Sequence, residues 1–136
     1  MRMLAMIFLD SSYLIGLIID NDQHHIKATE LKPFLKNEKK IINNTVLVET
    51  INSIKRTNHT IATDMIINSI LKLDKIDFLS EDDYFKSLEL FNYYNQSINY
   101  SDCTLLYTMQ KNSVNTIVSF DSDFDKVNTI NRIYLD

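Results

Sequence analysis

Short apolar runs alternate with longer amphipathic stretches along the chain. The short runs, bounded by polar residues, are typical of buried β-strands. The longer stretches carry apolar residues three and four positions apart, as helices with one buried face do. The predicted strands are residues 6–9, 39–42, 75–79, 115–120 and 132–136. The predicted helices are residues 10–20, 23–37, 44–56, 60–73, 80–95 and 100–112.

Polar residues mark several ends of these elements. The acid and hydroxyl groups of residues 10–12 are typical of a helix N-terminus, and so is Ser80 followed by acids. Pro33 predicts an interruption of its helix, because proline lacks the backbone N–H that a helix interior needs. Strands that alternate with helices predict an α/β sandwich with a mainly parallel sheet.

Composition indicates one ordinary domain. The chain has 136 residues, of which 45% are hydrophobic and 24% charged, enough to bury one core. No repeat or Gly/Ser/Pro-rich linker divides it, so we expect a single domain over residues 1–136. The apolar stretch 3–9 is too short to span a bilayer. The single cysteine, Cys103, excludes an internal disulfide framework and a zinc site built from several thiolates. We therefore expect a cytoplasmic protein without membrane association.

Two features limit how this chain can handle phosphate. Gly16 is its only glycine, which excludes the glycine-rich loops of P-loop NTPases and dinucleotide-binding folds. The net charge of −4 argues by itself against a nucleic-acid partner. That argument weakens if acids bind metal, since two divalent cations would bring −4 to zero. Charge alone leaves the partner open.

Aspartates follow two of the predicted strands directly. Asp10 ends the first run and Asp121 ends the run over 115–120. In an open α/β sheet, ligands bind outside the carboxyl ends of the strands, so both side chains are site candidates. Each is equally compatible with a turn or a helix cap, and the sequence does not show whether the two strands are neighbours.

The helix over residues 100–112 carries an acid on its apolar stripe. Asp102 shares one face with Leu105, Leu106 and Met109. An acid there stabilises the helix N-terminus by only about 0.3–1 kcal/mol, with Ser101 as a candidate cap. Its desolvation has a cost unless it is paired or metal-bound. A structural and a functional role both remain open for Asp102.

Glu49 and the three alternating aspartates after the strand over 115–120 give weaker local evidence for a functional site. Glu49 lies off the apolar stripe of its helix, so periodicity alone predicts a solvated glutamate. Asp121, Asp123 and Asp125 stand at alternate positions, like the first ligands of an EF-hand loop. Such a loop needs glycine at its sixth position and glutamate at its twelfth, where this chain has lysine and arginine. An EF-hand is therefore excluded.

Four segments together resemble the motifs of PIN-domain ribonucleases. "MIFLDSSYLIGLI" resembles the opening strand, aspartate, hydroxyl residues and helix of that family, and "NNTVLVETINSI" its helix with a glutamate. "INYSDCTLLYTM" resembles its third motif, and "IVSFDSDFDKV" its closing motif, with an aromatic residue shortly after the aspartate. The resemblance covers essentially the whole chain, and the most similar subgroup is the VapC-like toxins of type II toxin–antitoxin systems.

This resemblance implies a fold and a set of site residues. The expected fold is a PIN-like α/β/α sandwich with a mainly parallel central sheet of about four or five short strands. Residues 1–5, before the usual start, would extend the first strand, and His24 and His25 would be surface residues at a helix start. The implied catalytic and metal-binding acids are Asp10, Glu49, Asp102 and Asp121, with auxiliary hydroxyls from Ser11 or Ser12 and peripheral acids Asp123 and Asp125.

The implied activity is metal-dependent hydrolysis of RNA phosphodiester bonds. Clustered carboxylates favour a hard divalent cation, so we expect one or two Mg²⁺ or Mn²⁺ ions, which activate water and stabilise transition-state charge. The implied partners are an RNA substrate (tRNA, rRNA or mRNA), a cognate antitoxin and a second copy in a homodimer, with the apolar helix segment 87–95 as a candidate interface. Two alternatives remain: a housekeeping PIN nuclease of RNA maturation, and a non-catalytic RNA- or protein-binding module.

Overall fold

A five-stranded, entirely parallel sheet organises the described part of the chain. The computed structural model describes residues 6–57 and 63–135. The strand order is β3-β2-β1-β4-β5, so β1 is central. The prediction of a parallel α/β/α sandwich is confirmed. The strands are β1 (Met6–Leu9), β2 (Lys39–Asn43), β3 (Lys75–Asp77), β4 (Thr116–Val118) and β5 (Asn131–Ile133).

Helices connect successive strands at nearly the predicted positions. They are α1 (Ser11–Ile18), α2 (His25–Leu31), α3 (Asn44–Arg56), α4 (Thr63–Leu71), α5 (Glu81–Tyr93) and α6 (Tyr100–Lys111). Short 3₁₀ turns cover Lys32–Leu35 and Ser122–Lys126. The predicted strand extension at residues 1–5 and the predicted helical residues 60–62 lie outside the described residues. No helix in the described ranges is long and apolar enough to cross a membrane.

Local chemistry explains the helix boundaries. Pro33 lies within the 3₁₀ turn that follows α2, where its missing N–H is tolerated. Ser80 forms the predicted cap of α5: its hydroxyl accepts from the Asp83 N–H, and the Asp83 carboxylate accepts from the Ser80 N–H. For α6, the residue before the helix is Asn99, so Ser101 lies inside the first turn and is not the cap.

The only glycine lies where α1 and α2 come closest. A β-carbon on Gly16 would lie 3.2 Å from the Ala28 Cβ and 3.3 Å from the His24 carbonyl oxygen, closer than ordinary contacts. The His25 ring Nδ1 is 2.7 Å from the Gly16 carbonyl oxygen, and the His24 ring stacks on Phe120 at 4.5 Å. Both histidines are thus half-buried packing residues at the start of α2, not the surface residues expected from the sequence.

A buried polar network holds α3 against α6 at the end of β2. The Asn43 Oδ1 caps α3 by accepting from the Val46 N–H at 3.0 Å. Its Nδ2 donates to the Thr108 hydroxyl at 3.0 Å and more weakly to the Thr104 hydroxyl at 3.5 Å. All three polar side chains are at most 1% exposed, so these bonds form away from water. The network fixes the two helices that carry Glu49 and Asp102.

Candidate active site

Asp10, the first candidate acid, lies directly after β1, at the carboxyl end of this strand and next to β4. The Asp10 N–H donates to the Val118 carbonyl at 3.0 Å, so the pairing of β1 with β4 continues to this residue. The side chain is 6% exposed, and its Oδ2 accepts hydrogen bonds from the hydroxyls of Ser119 at 2.7 Å and Ser12 at 2.9 Å. Burial raises the pKa of Asp10, the two hydroxyls lower it, and the charge of Asp121 raises it further.

Two serines join the start of α1 to the segment after β4. The Ser12 hydroxyl accepts from the Phe120 N–H at 3.1 Å, and the Ser119 hydroxyl accepts from the Asp121 N–H at 3.0 Å. Each serine therefore accepts from the backbone and donates to Asp10. Ser119, fully buried, is absent from the predicted site. Its only sequence signal is its place two residues before Asp121 in the closing motif.

The three alternating aspartates have different environments. The Asp121 Oδ1 accepts from the Asp123 N–H at 2.9 Å and so caps the following 3₁₀ turn. Asp123 forms an exposed ion pair with Lys126 at 3.4 Å. Asp125 forms two hydrogen bonds of 2.9 Å with the Arg132 guanidinium, which lowers its pKa. Asp125 is therefore paired with Arg132 of β5, whereas Asp121 lies beside Asp10.

Asp102 shows that the acids converge. It lies in the first turn of α6, and its pKa is raised to about 7. Burial is the largest cause, followed by the negative charges of Asp10, Asp121 and Glu49, and then by Asp123. The structure therefore brings together the acids of all four motif segments.

Glu49 lies at the rim of this cluster. The residue is exposed, as its helical position predicts, yet its carboxyl group is partly desolvated next to Asp10. Desolvation and the Asp10 charge raise the pKa of Glu49, and a hydrogen bond with Ser11 and the charge of Arg56 lower it. The side chains of the two predicted hydroxyl residues therefore have different partners. Ser11 forms a side-chain hydrogen bond with Glu49, and Ser12 donates one to Asp10. Exposure of Glu49 and proximity to the acids are compatible because the cluster opens to solvent.

The donor set fits a hard divalent cation. The converging side chains offer oxygen atoms only, and burial, together with their mutual repulsion, raises the pKa of Asp102 to about 7. Within residues 6–57 and 63–135, no three acid, His or Cys side chains stand close enough together to hold a metal ion as a group. Mg²⁺ does not need such a group, because it keeps several waters and binds through one or two carboxylates plus substrate phosphate.

A polar cleft of about 540 Å³ opens beside Glu49, between α3, the start of α5 and the start of α6. Ser101, next to Asp102 in the chain, lines the same cleft. Of the four acids, Glu49 therefore lines a cleft large enough for a ligand of nucleotide size.

Comparisons with known proteins agree with this architecture. The family model described as "PIN domain" matches residues 7–130. The Mycobacterium tuberculosis VapC20 structure, described as a sarcin-ricin loop cleaving toxin, shares 21% identity at a TM-score of 0.77, covering 91% of this chain and 96% of that chain.

Structures of VapBC complexes are similar as well. VapBC2 from Rickettsia felis, bound to a promoter DNA fragment, gives 16% identity and a TM-score of 0.70, covering 96% of this chain and 99% of that one. DNA-bound VapBC from Salmonella typhimurium gives 14% identity and a TM-score of 0.67, covering 96% of this chain and 98% of that one. No curated protein matches the sequence. With the family match extending over nearly the whole sequence, and with the fold and the converging acids in agreement, this chain belongs to the PIN domain family.

Proposed function

We propose that this protein is a divalent-metal-dependent endoribonuclease and the toxin of a toxin–antitoxin pair. The observation that carries the proposal is the convergence of Asp10, Glu49, Asp102 and Asp121, whose charges add to burial in raising the pKa of Asp102 to about 7. Membership of the PIN domain family and likeness to VapC20, described as a sarcin-ricin loop cleaving toxin, support the same activity.

The chain's own residues would prepare the site for a cation. Asp10, held by two serine hydroxyls, offers its carboxylate in a fixed orientation, which lowers the entropic cost of binding. The negative charges of Asp10, Asp121 and Glu49 all act on Asp102 at the start of α6. Mg²⁺ or Mn²⁺ held there would supply an activated water and neutralise charge on the scissile phosphate. In the metal-free protein the pKa of Asp102 is raised to about 7, and a bound cation would favour its ionised form.

The proposed partners follow from charge and surface composition. The acidic cluster suits an antitoxin that places an arginine against the carboxylates, since a guanidinium fork matches them well. Structures of VapBC complexes among the similar proteins support such a partner. For a homodimer, α5 offers Phe85, Leu88 and Tyr93, which are 58%, 46% and 74% exposed while other residues of the helix pack on the core.

The first prediction concerns hydrolysis. Purified protein should cut specific sites in a panel of tRNA and rRNA fragments with Mg²⁺ or Mn²⁺, and EDTA should abolish cutting. Asp10→Asn and Asp102→Asn should each lower the rate of RNA cleavage by about 100-fold or more. Each removes a carboxylate of the proposed cation site, and the cation would stabilise charge in the transition state. Asp20→Asn, which changes an exposed acid beyond α1, is the matched control. Cutting that persists in EDTA, or in both site variants, would contradict the proposal.

The second prediction concerns stability and pH in the metal-free protein. The folded pKa of Asp102 is about 7, above its ordinary value of 3.8, so folding favours the protonated form. Its contribution to the free energy of unfolding is therefore fully present below about pH 4 and lost as pH rises through 7. Full conversion of this shift gives about 4 kcal/mol, and solvent screening at this partly exposed group roughly halves it.

Asp102→Asn should accordingly stabilise the metal-free protein by about 2 kcal/mol at pH 8, with the gain disappearing toward pH 4. Urea denaturation in EDTA across this range measures the difference, with Asp20→Asn again as control. A site variant that is less stable than the parent at pH 8 would show that Asp102 is not repelled by its neighbours.

The third prediction separates a toxin from a housekeeping nuclease. Expression of the chain in a bacterial host should arrest growth, and Asp102→Asn should abolish the arrest at equal protein level. Co-expression of a small protein encoded beside this chain should restore growth. Active cleavage in vitro without growth arrest would favour the housekeeping nuclease, and absence of both cleavage and metal binding would favour a non-catalytic module.

A further inference from the structure

Ser119 connects the last strand, β5, to the acidic cluster. The residue is fully buried, and its hydroxyl donates to the Asp10 Oδ2 at 2.7 Å and accepts from the Asp121 N–H at 3.0 Å. Its backbone N–H donates to the Ile133 carbonyl at 3.2 Å, and its own carbonyl accepts from the Arg132 Nη1 at 3.1 Å. A shift of the Ser119 backbone would therefore disturb the contacts with Asp10 and with Asp121 together.

The Arg132 side chain contacts both ends of the segment that carries Asp121. At one end its Nη1 donates to the Ser119 carbonyl. At the other end its Nε and Nη2 donate to the two carboxylate oxygens of Asp125, each at 2.9 Å. The guanidinium is planar and rigid, so it cannot turn toward one partner without losing geometry with the other. Arg132 therefore fixes the separation between the two ends of residues 119–125.

The environment of this guanidinium favours a fixed geometry. The Arg132 side chain is 8% exposed, and the Tyr134 ring lies over its face, with the Cζ atom 3.8 Å from the ring centroid. Exposed ion pairs contribute little because both side chains must be ordered and water screens their charges. Here the cation is already ordered by the aromatic ring and by the Ser119 carbonyl, so the bidentate pair with Asp125 has a lower entropic cost.

We propose that Arg132 is a positioning residue for the cation site, because it holds the backbone on both sides of Asp121. The inference rests on the proposed function and adds a residue of β5, a strand outside the four motif segments. Arg132 acts through the Ser119 carbonyl and through Asp125 and does not contact the cation. Removing groups that orient metal ligands from outside commonly lowers metal affinity by about 10- to 100-fold.

Lys126 provides a matched control for Arg132. It forms an ion pair with Asp123 at 3.4 Å, and its ammonium donates to the Ser97 carbonyl at 3.2 Å. Like Arg132, Lys126 thus joins an aspartate after β4 to a backbone carbonyl, but this carbonyl lies outside the segment that carries Asp121. Arg132→Met and Lys126→Met therefore remove the same charge and the same kinds of contact, and only the first releases the backbone next to the acids.

Affinity for Mn²⁺ should be measured by electron paramagnetic resonance of the free ion, after urea denaturation has shown that each variant is folded. Arg132→Met should weaken Mn²⁺ binding about tenfold. Asp125→Ala removes a half-exposed side chain, leaves the buried guanidinium in place and should give a similar loss, so it carries the test if Arg132→Met does not fold. The double variant should bind hardly more weakly than either single variant, because both changes break one interaction. Lys126→Met should change the affinity less than about twofold.

A second measurement needs no metal. The Asp121 N–H is hydrogen-bonded to the Ser119 hydroxyl, so its hydrogen exchange reports on the geometry of this segment. In the metal-free protein, Arg132→Met should speed exchange of the Asp121 amide by about tenfold, and Lys126→Met should not. The Val46 amide, which is bonded to the Asn43 side chain at the start of α3, is the internal reference and should exchange equally in all variants.

An unchanged Mn²⁺ affinity in a folded but less stable Arg132→Met variant would overturn the proposal and show that the ion pair only attaches β5 to the fold. Equal losses in Arg132→Met and Lys126→Met would overturn it as well. If the parent protein binds Mn²⁺ but never cleaves RNA, hydrolysis fails and the affinities still test Arg132. If the parent binds no Mn²⁺, the proposed function fails. Faster exchange of the Asp121 amide would then still support positioning by Arg132, and unchanged exchange would overturn it.

Discussion

The pairing of β1 with β4 is the constraint on which the site depends. The two strands are far apart in sequence and adjacent at the centre of the sheet, so the chain leaves them in a crevice at their carboxyl ends. The hydrogen bond from the Asp10 N–H to the Val118 carbonyl extends this pairing into the crevice. Without it, Ser119 and Asp10 would not meet, and the hydroxyl bonds that orient Asp10 would be lost.

The acids around this crevice are electrostatically unfavourable for the metal-free protein. Burial and mutual repulsion raise the pKa values of Asp10, Glu49 and Asp102 together, which is unfavourable for a metal-free fold above neutral pH. The opposite arrangement occurs in the Lys111 cluster, where one ammonium contacts Asp77 at 3.1 Å and Asp83 at 2.8 Å. Lys111 therefore neutralises Asp77 and Asp83, whereas the acids at the crevice have no such cation in contact with them among the described residues. Such a concentration of strain is typical of functional sites.

The sequence predicts the framework well and the site in part. The inner strands β1, β2 and β4 are marked by short apolar runs, because parallel strands that are buried on both faces leave a local signal. Asp102 is marked by its apolar helical stripe. Glu49 has no such local mark: its helical position predicts solvent, and only the resemblance to the PIN family identifies it. The structure agrees with the helical position and with the resemblance, since the Glu49 side chain is exposed and also lies at the rim of the acidic cluster.

Ser119 shows why the rest could not be predicted. The role of Ser119 depends on a partner 109 positions away in the chain. Similarly, Asp125 differs from Asp121 only because Arg132 of β5 lies next to it. Relations of this kind arise from tertiary packing and leave no periodic pattern in the sequence.

The most direct test of the central claim is thermal unfolding at pH 8 as Mn²⁺ is added to the EDTA-treated protein. If the converging carboxylates form a cation site, the melting temperature should rise steadily with Mn²⁺, by an amount equivalent to about 2.7 kcal/mol at 100 times Kd. The same titration of Asp10→Asn should give a much smaller rise. A melting temperature that does not change with Mn²⁺, or that rises equally in both proteins, would contradict the account.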